Sequence, residues 1–412
     1  MAPIDVATVP LPYHLIFDIL SRLPVKSVCR FRCVSMGWRD LISNPVFAAA
    51  HTSRHGPLLV DTGSFEVEEP DEGRDVRLMD MDGNIVRVIK GVGGYGMLCN
   101  TSLDDLICVN GASCGGVNVV DPATGETLMK CPHMEVIKQD AFPGAAHRYY
   151  IIFGFGRAIP SGEYKLLRLV ANQTWEIFTM GDGRGWRQTM QPSPGNIVHK
   201  RGSTQPSPRK IFYKPGSPVV IDGVMYVFEE NYEDESLLCF DLESERWKAD
   251  VIRGPRKALG DQTDRGAKAA RLTELNGALC IVHSVFGEIY RPVDGQPDPF
   301  TNIWILDSKR NIWIKAYTIT MAPNACRYMP LRVMDDGGKL LLQCSIDKGP
   351  GEGWSLVLQI YDPRTDTCID VPGTPDDLDN RIGLCSFGLD HPAHAKSLLA
   401  RFLDQALLFF SN

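Results

Sequence analysis

Several residue sets in this 412-residue chain have spacings that could do chemistry. Cys29 and Cys33 stand four apart on a stretch that reads as helix, as do His51 and His55; His391-Pro-Ala-His394 brings two imidazoles three apart. Thiolates and imidazoles at such spacings can share a metal, but a structural site takes four ligands and no neighbouring Cys or His completes the set. Gly91-Val-Gly-Gly-Tyr-Gly96 and Gly154-Phe-Gly156 suggest phosphate-cradling loops, yet neither carries the Lys-Ser/Thr of a P-loop or opens a helix. They read as turns between strands, and the histidine pairs as solvated side chains. No H-E-x-x-H pair occurs. The expectation is a chain with no catalytic residues, no metal site and no cofactor.

Composition narrows the classes further. Twelve cysteines are scattered with no C-x-x-C pair. The opening MAPIDVATVPLP lacks the basic and apolar regions of a secretory signal. Reduced, mostly buried thiols in a cytoplasmic or nuclear protein are expected. The net charge of −7 argues against a nucleic-acid partner, which calls for a basic patch. No apolar run approaches the roughly 18 residues of a membrane span.

The elements that would position any site fall into two textures. Up to residue 55 the periodicity is helical. Leu15, Ile16, Ile19, Leu20 and Leu23 follow helical spacing, with Pro12 in the first turn and Pro24 as a stop. Val28, Phe31, Val34, Trp38, Leu41 and Ile42 form a second set, broken near Ser35-Met36-Gly37, where Ser35 can cap a third helix. Asn44-Pro45 ends that helix and starts a short one through His51. Helices this short bury little, so the unit needs the following domain or a partner to cover its apolar surface.

From Pro57 onward, short apolar runs alternate with Gly, Pro, Asp and Asn, an all-β pattern. A repeat runs through it: an apolar strand ends in Asp, a turn follows, and an apolar or Trp residue comes six positions later. The clearest copies are Asp241 to Trp247 and Asp307 to Trp313; weaker ones are Asp362 to Cys368, Asp121 to Thr127 and Asp80 to Val86, and Met180 stands in the Asp position before Trp186. Asp can accept backbone N–H bonds from the turn, and the aromatic would begin the return strand and pack between neighbouring sheets. Six such units, spaced nearer to kelch blades than to WD-type ones, predict a six-bladed β-propeller; a β-sandwich array is the alternative. The fold class is thus α+β and multidomain, a small three-helix module followed by an all-β propeller.

Residues 11 to 47, LPYHLIFDILSRLPVKSVCRFRCVSMGWRDLISNPVF, resemble the F-box motif, and with the repeat-rich β domain the chain looks like the plant F-box proteins that carry an F-box-associated domain. The resemblance implies that the module binds a Skp-family adaptor and, through it, a cullin and a RING subunit. The propeller then holds an unidentified protein substrate for ubiquitination, making the chain a non-catalytic receptor of an SCF-type ligase. A non-degradative binding role for an adaptor-bound F-box protein is the runner-up, and a propeller enzyme is a distant third. Leu11, Pro12, Ile16, Leu20, Leu23, Pro24, Val28, Val34 and Trp38 are the expected adaptor anchors, against the alternative that most of them form the module's own core. Two departures from the family pattern stand out: Tyr13-His14 replace acidic residues after Leu-Pro, and Met36-Gly37 replace a polar or basic pair before Trp38.

The expected boundaries are an N-terminal tail at 1–8, the F-box at 9–55, the propeller at 56–394, and at 395–412 an amphipathic helix or closing strand. Candidate substrate loops are 66–75, 191–218, 253–270, 286–301 and 347–354, which propeller partners reach from one end of the blades. The sequence leaves open which of them share a face. Ser193, Ser207 and Ser217, each before proline, make the second loop a conceivable phosphorylation target.

Overall fold

The computed structural model describes residues 11–62, 73–94, 106–110, 116–122, 124–131, 152–170, 174–190, 212–213, 218–230, 235–255, 267–286, 299–334, 338–349, 354–372, 374, 378 and 382–385. Four helices open it: α1 (Tyr13–Ser21), α2 (Val25–Phe31), α3 (Met36–Ile42) and α4 (Pro45–His55). Pro12 and Pro24 each occupy the N-cap position with extended ψ, one residue earlier than a first-turn proline. Ser35 caps α3, its hydroxyl accepting from the Trp38 amide at 3.1 Å. The Asn44 side chain accepts from the Val46 amide at 2.9 Å, and α4 then runs four residues beyond the predicted His51.

Six antiparallel sheets follow. Sheet I holds β1 (Leu58–Asp61), β2 (Arg74–Met79) and β3 (Ile85–Gly93); sheet II holds β4 (Ile107–Asn110), β5 (Val117–Val120) and β6 (Thr127–Cys131). Sheet III runs β7 (Ile152–Arg157), β8 (Tyr164–Val170), β9 (Thr174–Thr179), β10 (Arg187–Gln188). Sheet IV contains β11 (Phe212–Tyr213), β12 (Val219–Ile221), β13 (Val224–Glu230), β14 (Glu235–Asp241), β15 (Arg246–Trp247) and β16 (Ile252–Arg253). Sheet V is β17 (Ala267–Leu275), β18 (Ala278–Phe286), β19 (Phe300–Asp307), β20 (Ile312–Thr320). Sheet VI is β21 (Ala325–Val333), β22 (Leu340–Asp347), β23 (Trp354–Asp362), β24 (Thr367–Asp370). The last strand, β25 (Gly383–Cys385), returns to sheet I and pairs with β1, Cys385 opposite Leu58.

That return closes a ring. Six apolar clusters each bridge two consecutive sheets: I to II, II to III, III to IV, IV to V, V to VI, and VI back to I. Strand alternation sends Leu58 and Val60 to one cluster and Leu59 to another. The result is a six-bladed β-propeller in which each sheet shares apolar clusters with both of its neighbours, a ring closed by β25.

The repeat marks the turn after the third strand in five sheets and, in sheet II, whose described strands number three, the turn into its last strand. Asp241 Oδ1 accepts from the Ser244 amide at 2.7 Å, and Asp307 Oδ1 from the Lys309 amide at 3.0 Å. Asp80, Asp121 and Asp362 bond their turns in the same way. Each Asp turn ends in a left-handed residue: Gly83, Gly125, Glu245, Asn311 and Asp366. At Met180 no such acceptor exists, and Gly181, Gly183 and Gly185 make the turn through positive φ instead. Six residues on, the aromatics pack between sheets as expected. Trp247 of sheet IV meets Trp175 of sheet III edge-on at 4.9 Å. The Trp313 Nε1–H of sheet V donates to the Arg253 carbonyl of sheet IV at 2.7 Å.

The predicted glycine turns are not turns. Gly154 and Gly156 lie within β7, where a side chain at 156 would come within 2.6 Å of Leu242 and 2.7 Å of Val220 in sheet IV. Gly91 and Gly93 lie in β3, and a Cβ at Gly73 would collide with the Gly91 backbone. Side chains of the next sheet press on Gly154 and Gly156, a Cβ on Gly93 would meet the Arg74 carbonyl oxygen at 3.2 Å, and Gly91 takes a positive φ.

Candidate functional site

The helices form a small layer whose core is continuous with the first blade. Leu20, Val28, Leu41, Ile42 and Phe47 are buried in one cluster with Leu58, Val60, Val76, Leu78 and Cys385. Phe17 packs edge-on against Phe47 at 5.3 Å and Phe31 against Trp38 at 5.4 Å. Asp18 clasps Arg22 and Arg54, each at 3.1 Å, tying α1 to α4. Hydrogen bonds from Arg22 and Arg54 hold the Asp18 carboxyl below the usual carboxylate value. His51, read as solvated, is buried: its Nε2 lies 2.9 Å from the Leu23 carbonyl, and its ring stacks on His55 at 4.4 Å. Burial, the dominant influence, pushes the His51 pKa down.

The nine predicted anchors divide by position on this layer. Leu11 (57% exposed), Pro12, Pro24 and Val34 (59%) are open to solvent. Ile16, Leu23 and Trp38 are half-buried against the core. Leu20 and Val28 are 1% and 0% exposed, so they shape the surface from beneath and present nothing to a partner in this conformation. Further exposed apolar residues lie outside the predicted set: Tyr13, Leu15, Ile19, Met36 and Val46. Their signal was in the sequence. Leu11, Leu15 and Ile19 form one i, i+4 stripe of α1, and Ile16 and Leu20 another, so the helix is apolar on two sides and has two surfaces to cover.

The propeller has two unlike ends. Leu58 starts β1 beside Cys385, and Leu59 stands opposite Met79, the last residue before the Asp80 turn. The helices therefore join the blades at the end of the short Asp turns. The connections from second to third strand, and from one sheet to the next, leave from the opposite end. All five candidate loops, 66–75, 191–218, 253–270, 286–301 and 347–354, are such connections, so the strands that flank them deliver them to one common end, away from the helices. Most of their residues, with Ser193, Ser207 and Ser217, lie outside the described residues, as do His391, His394 and the tail at 395–412. Buried polar side chains gather in the same half of the blades, among them Arg74, Asn118, Glu235, His283, Asn302 and Ser345. His283 Nε2 reaches both carboxylate oxygens of Glu235 at 2.9 Å, joining sheets V and IV. The short-turn half buries few polar groups; the chief one, Lys165, is held by Glu245 at 3.0 Å across sheets III and IV.

Reactive constellations are scarce among the described residues. No group of three or more His, Cys, Asp or Glu is disposed for a metal. Burial pushes the Cys131 and Cys280 thiols up to about 12, which keeps them protonated packing groups. One G-x-S-x-G sequence occurs, Gly111-Ala-Ser113-Cys-Gly115. It lies outside the described residues, between the paired antiparallel strands β4 and β5. No described helix is long and apolar enough to cross a membrane.

Comparison with known proteins fits this division. The F-box domain family matches residues 10–48, and the F-box associated beta propeller domain family matches residues 95–370. F-box protein At1g52495 of Arabidopsis thaliana is 26% identical over 263 residues, covering 58% of this chain and 56% of that protein. F-box protein At1g11270 of the same plant is 25% identical over 294 residues, covering 67% of this chain and 86% of that one. The chain thus spans little more than half the length of the first of these relatives. Among solved structures, TolB from Acinetobacter baumannii covers 83% of this chain and 73% of its own at a TM-score of 0.42 and 12% identity. With both modules matched in order, and the propeller match alone spanning more than half its length, the chain belongs to the family of F-box proteins with an F-box-associated β-propeller domain.

Proposed function

We propose that this chain is the substrate-recognition subunit of an SCF-type ubiquitin ligase, working in the cytoplasm or nucleus. The observation that carries the reading is the exposed apolar face of α1 and the α2–α3 corner, lying on a module whose sequence matches the F-box. Leu11, Leu15, Ile19, Val34 and Met36 would enter a Skp-family adaptor, with Pro12 and Pro24 fixing the helix starts and Leu20 and Val28 holding the face in shape. The adaptor would bring a cullin and a RING subunit. The chain would contribute no catalytic group: it raises the effective concentration of a substrate lysine near the ubiquitin thioester.

The substrate would bind the loop-bearing end of the propeller. That end lies away from the helices, so adaptor and substrate would not compete for surface. Long loops supply adaptable contacts, and the polar groups buried beneath them supply a rigid base. The test is affinity capture under proteasome inhibition, comparing the full chain with residues 56–412. The reading expects adaptor, cullin and RING subunit with the full chain only, and proteins held by both that turn over faster with the full chain. Loss of none of the ligase components on F-box deletion would overturn it. Bound proteins whose turnover never changes would indicate a non-degradative role.

A further inference from the structure

One face of α4 carries three rings in a column. Phe47, His51 and His55 stand four residues apart, so their side chains stack turn upon turn. The Phe47 and His51 rings lie 6.1 Å apart at 26°, and the His51 and His55 rings 4.4 Å apart at 28°. Phe47 belongs to the core shared with the first blade, and His51 is 2% exposed.

The His51 Nε2 lies 2.9 Å from the Leu23 carbonyl, in the link between α1 and α2. A carbonyl only accepts, so Nε2 carries the hydrogen and the neutral ring has none on Nδ1. A second proton would place a full charge on a buried ring, and a buried charge needs a counter-ion. Asp18 and Asp40 are the only carboxylates between residues 11 and 55. Asp18 is held by Arg22 and Arg54, each at 3.1 Å, and Asp40 is exposed on α3. The first blade meets the helices through apolar side chains and the Cys385 thiol. The groups that act on the His51 ring are the Leu23 carbonyl, His55 and Arg54; Arg54 is a permanent cation, and His55 becomes one once protonated. The His55 Nε2 is itself buried without a hydrogen-bond partner.

We propose that the F-box helical layer is a proton-sensitive latch: protonation of His51 unseats α4 from α1 and the α1–α2 link, while blades remote from the helices keep their fold. Burial is the chief cause holding the ring's pKa below its ordinary 6.5, His55 and Arg54 add to it, and the Leu23 bond opposes it. The opened layer therefore takes up a proton that the closed layer excludes. Stability is complete well above pH 6.5 and falls as the pH drops below it. One proton gained on opening raises the opening constant up to about tenfold per pH unit. The face proposed above for the adaptor is carried by the same helices, so acid would also release the adaptor. That consequence rests on the adaptor reading; the latch does not.

Hydrogen exchange of the full chain between about pH 7.5 and 5.5, corrected for the intrinsic pH dependence of amide exchange, reads the latch. Protection across 13–21 and 45–55 should fall about tenfold over the last pH unit, with β8 and β9 unchanged. His51→Gln keeps an N–H for the Leu23 carbonyl but cannot titrate, so its helices should hold their protection throughout. Wild-type helices that stay protected at the acid end would overturn the proposal. So would an equal fall in His51→Gln, or β8 and β9 opening in step with the helices. If His51→Gln lacks protected helices even at the alkaline end, NMR titration of the His51 ring in the wild type decides. A ring that charges only as the helices open supports the latch; one that charges at pH 6.5 or above with the helices intact refutes it. Titration with a purified plant Skp-family adaptor at both ends of the range tests the consequence separately. If no form binds adaptor at either end, the functional reading fails, and the latch stands or falls on exchange alone.

Discussion

Ile19→Lys separates docking from folding better than any change at a core anchor. Ile19 is 50% exposed in the last turn of α1, and its neighbour Leu20 is 1% exposed. Fully burying an isoleucine is worth about 1.5–3 kcal/mol, so covering the exposed half on docking contributes roughly 0.8–1.5 kcal/mol. Forcing an ammonium into the apolar contact adds to that loss, and together they weaken adaptor binding about 10- to 100-fold. Stability should barely move, within about 0.5 kcal/mol, because the site is solvent-facing, lysine is a good helix former, and a cation suits a helix C-terminus. Leu20→Ala should do the reverse, costing about 2–5 kcal/mol of stability through the cavity it leaves. Calorimetric titration with adaptor and urea denaturation give both numbers for both variants. Wild-type affinity for Ile19→Lys would refute the assignment of the docking face; unfolding of Ile19→Lys to the same degree as Leu20→Ala would refute its solvent exposure.

Gly37→Ala should stabilise α3 by about 0.5–1 kcal/mol in urea denaturation, since an added Cβ meets nothing within 4 Å; lower stability would show an unsuspected close approach. Glu245→Gln should cost about 1–3 kcal/mol, because buried Lys165 loses its 3.0 Å partner and keeps only Glu163 at 3.3 Å. Burial would raise the Glu245 carboxyl, but hydrogen bonds from Arg187 and Lys165 outweigh it and hold the carboxyl below its ordinary value of 4.5. Its stabilisation is therefore complete above pH 4.5 and lost as pH falls through the lowered value, so the two melting curves should converge in acid; a gap that widens there would contradict the sign. A chain ending at residue 381 lacks β25 and should lose protection against proteolysis throughout, helices included; an intact, protected helical layer would show that closure of sheet I is dispensable to it.

Local chemistry was legible; long-range partnership was not. Ser35 and the Asp turns announce themselves because each acts on amides two to four residues away. The ring closure was invisible: Gly383-Leu-Cys385 is too short to read as a strand, and its partner Leu58 lies at the far end of the blades in sequence. The expectation of an amphipathic helix or closing strand at 395–412 lies outside the described residues, and the short strand that pairs with β1 comes before it. Gly154 and Gly156 look like punctuation in sequence because nothing local reveals Met225 and Val220 pressing from the next sheet. The docking face was half legible. Both stripes of α1 are apolar, and only packing against Phe47 and the first blade tells which stripe is spoken for.

The pairing of β25 with β1 has a consequence for biosynthesis. The F-box is synthesised before the propeller, but Cys385, which is buried with its core, leaves the ribosome after all five Asp turns. Until then Leu58 has an unpaired neighbour and the helices lack part of their floor. A nascent or truncated receptor would thus offer the degradation machinery a poorly formed handle, and only a finished propeller would present a competent one. In the receptor proposed above, the seam between β1 and β25 would make a competent docking module a sign that the propeller is complete.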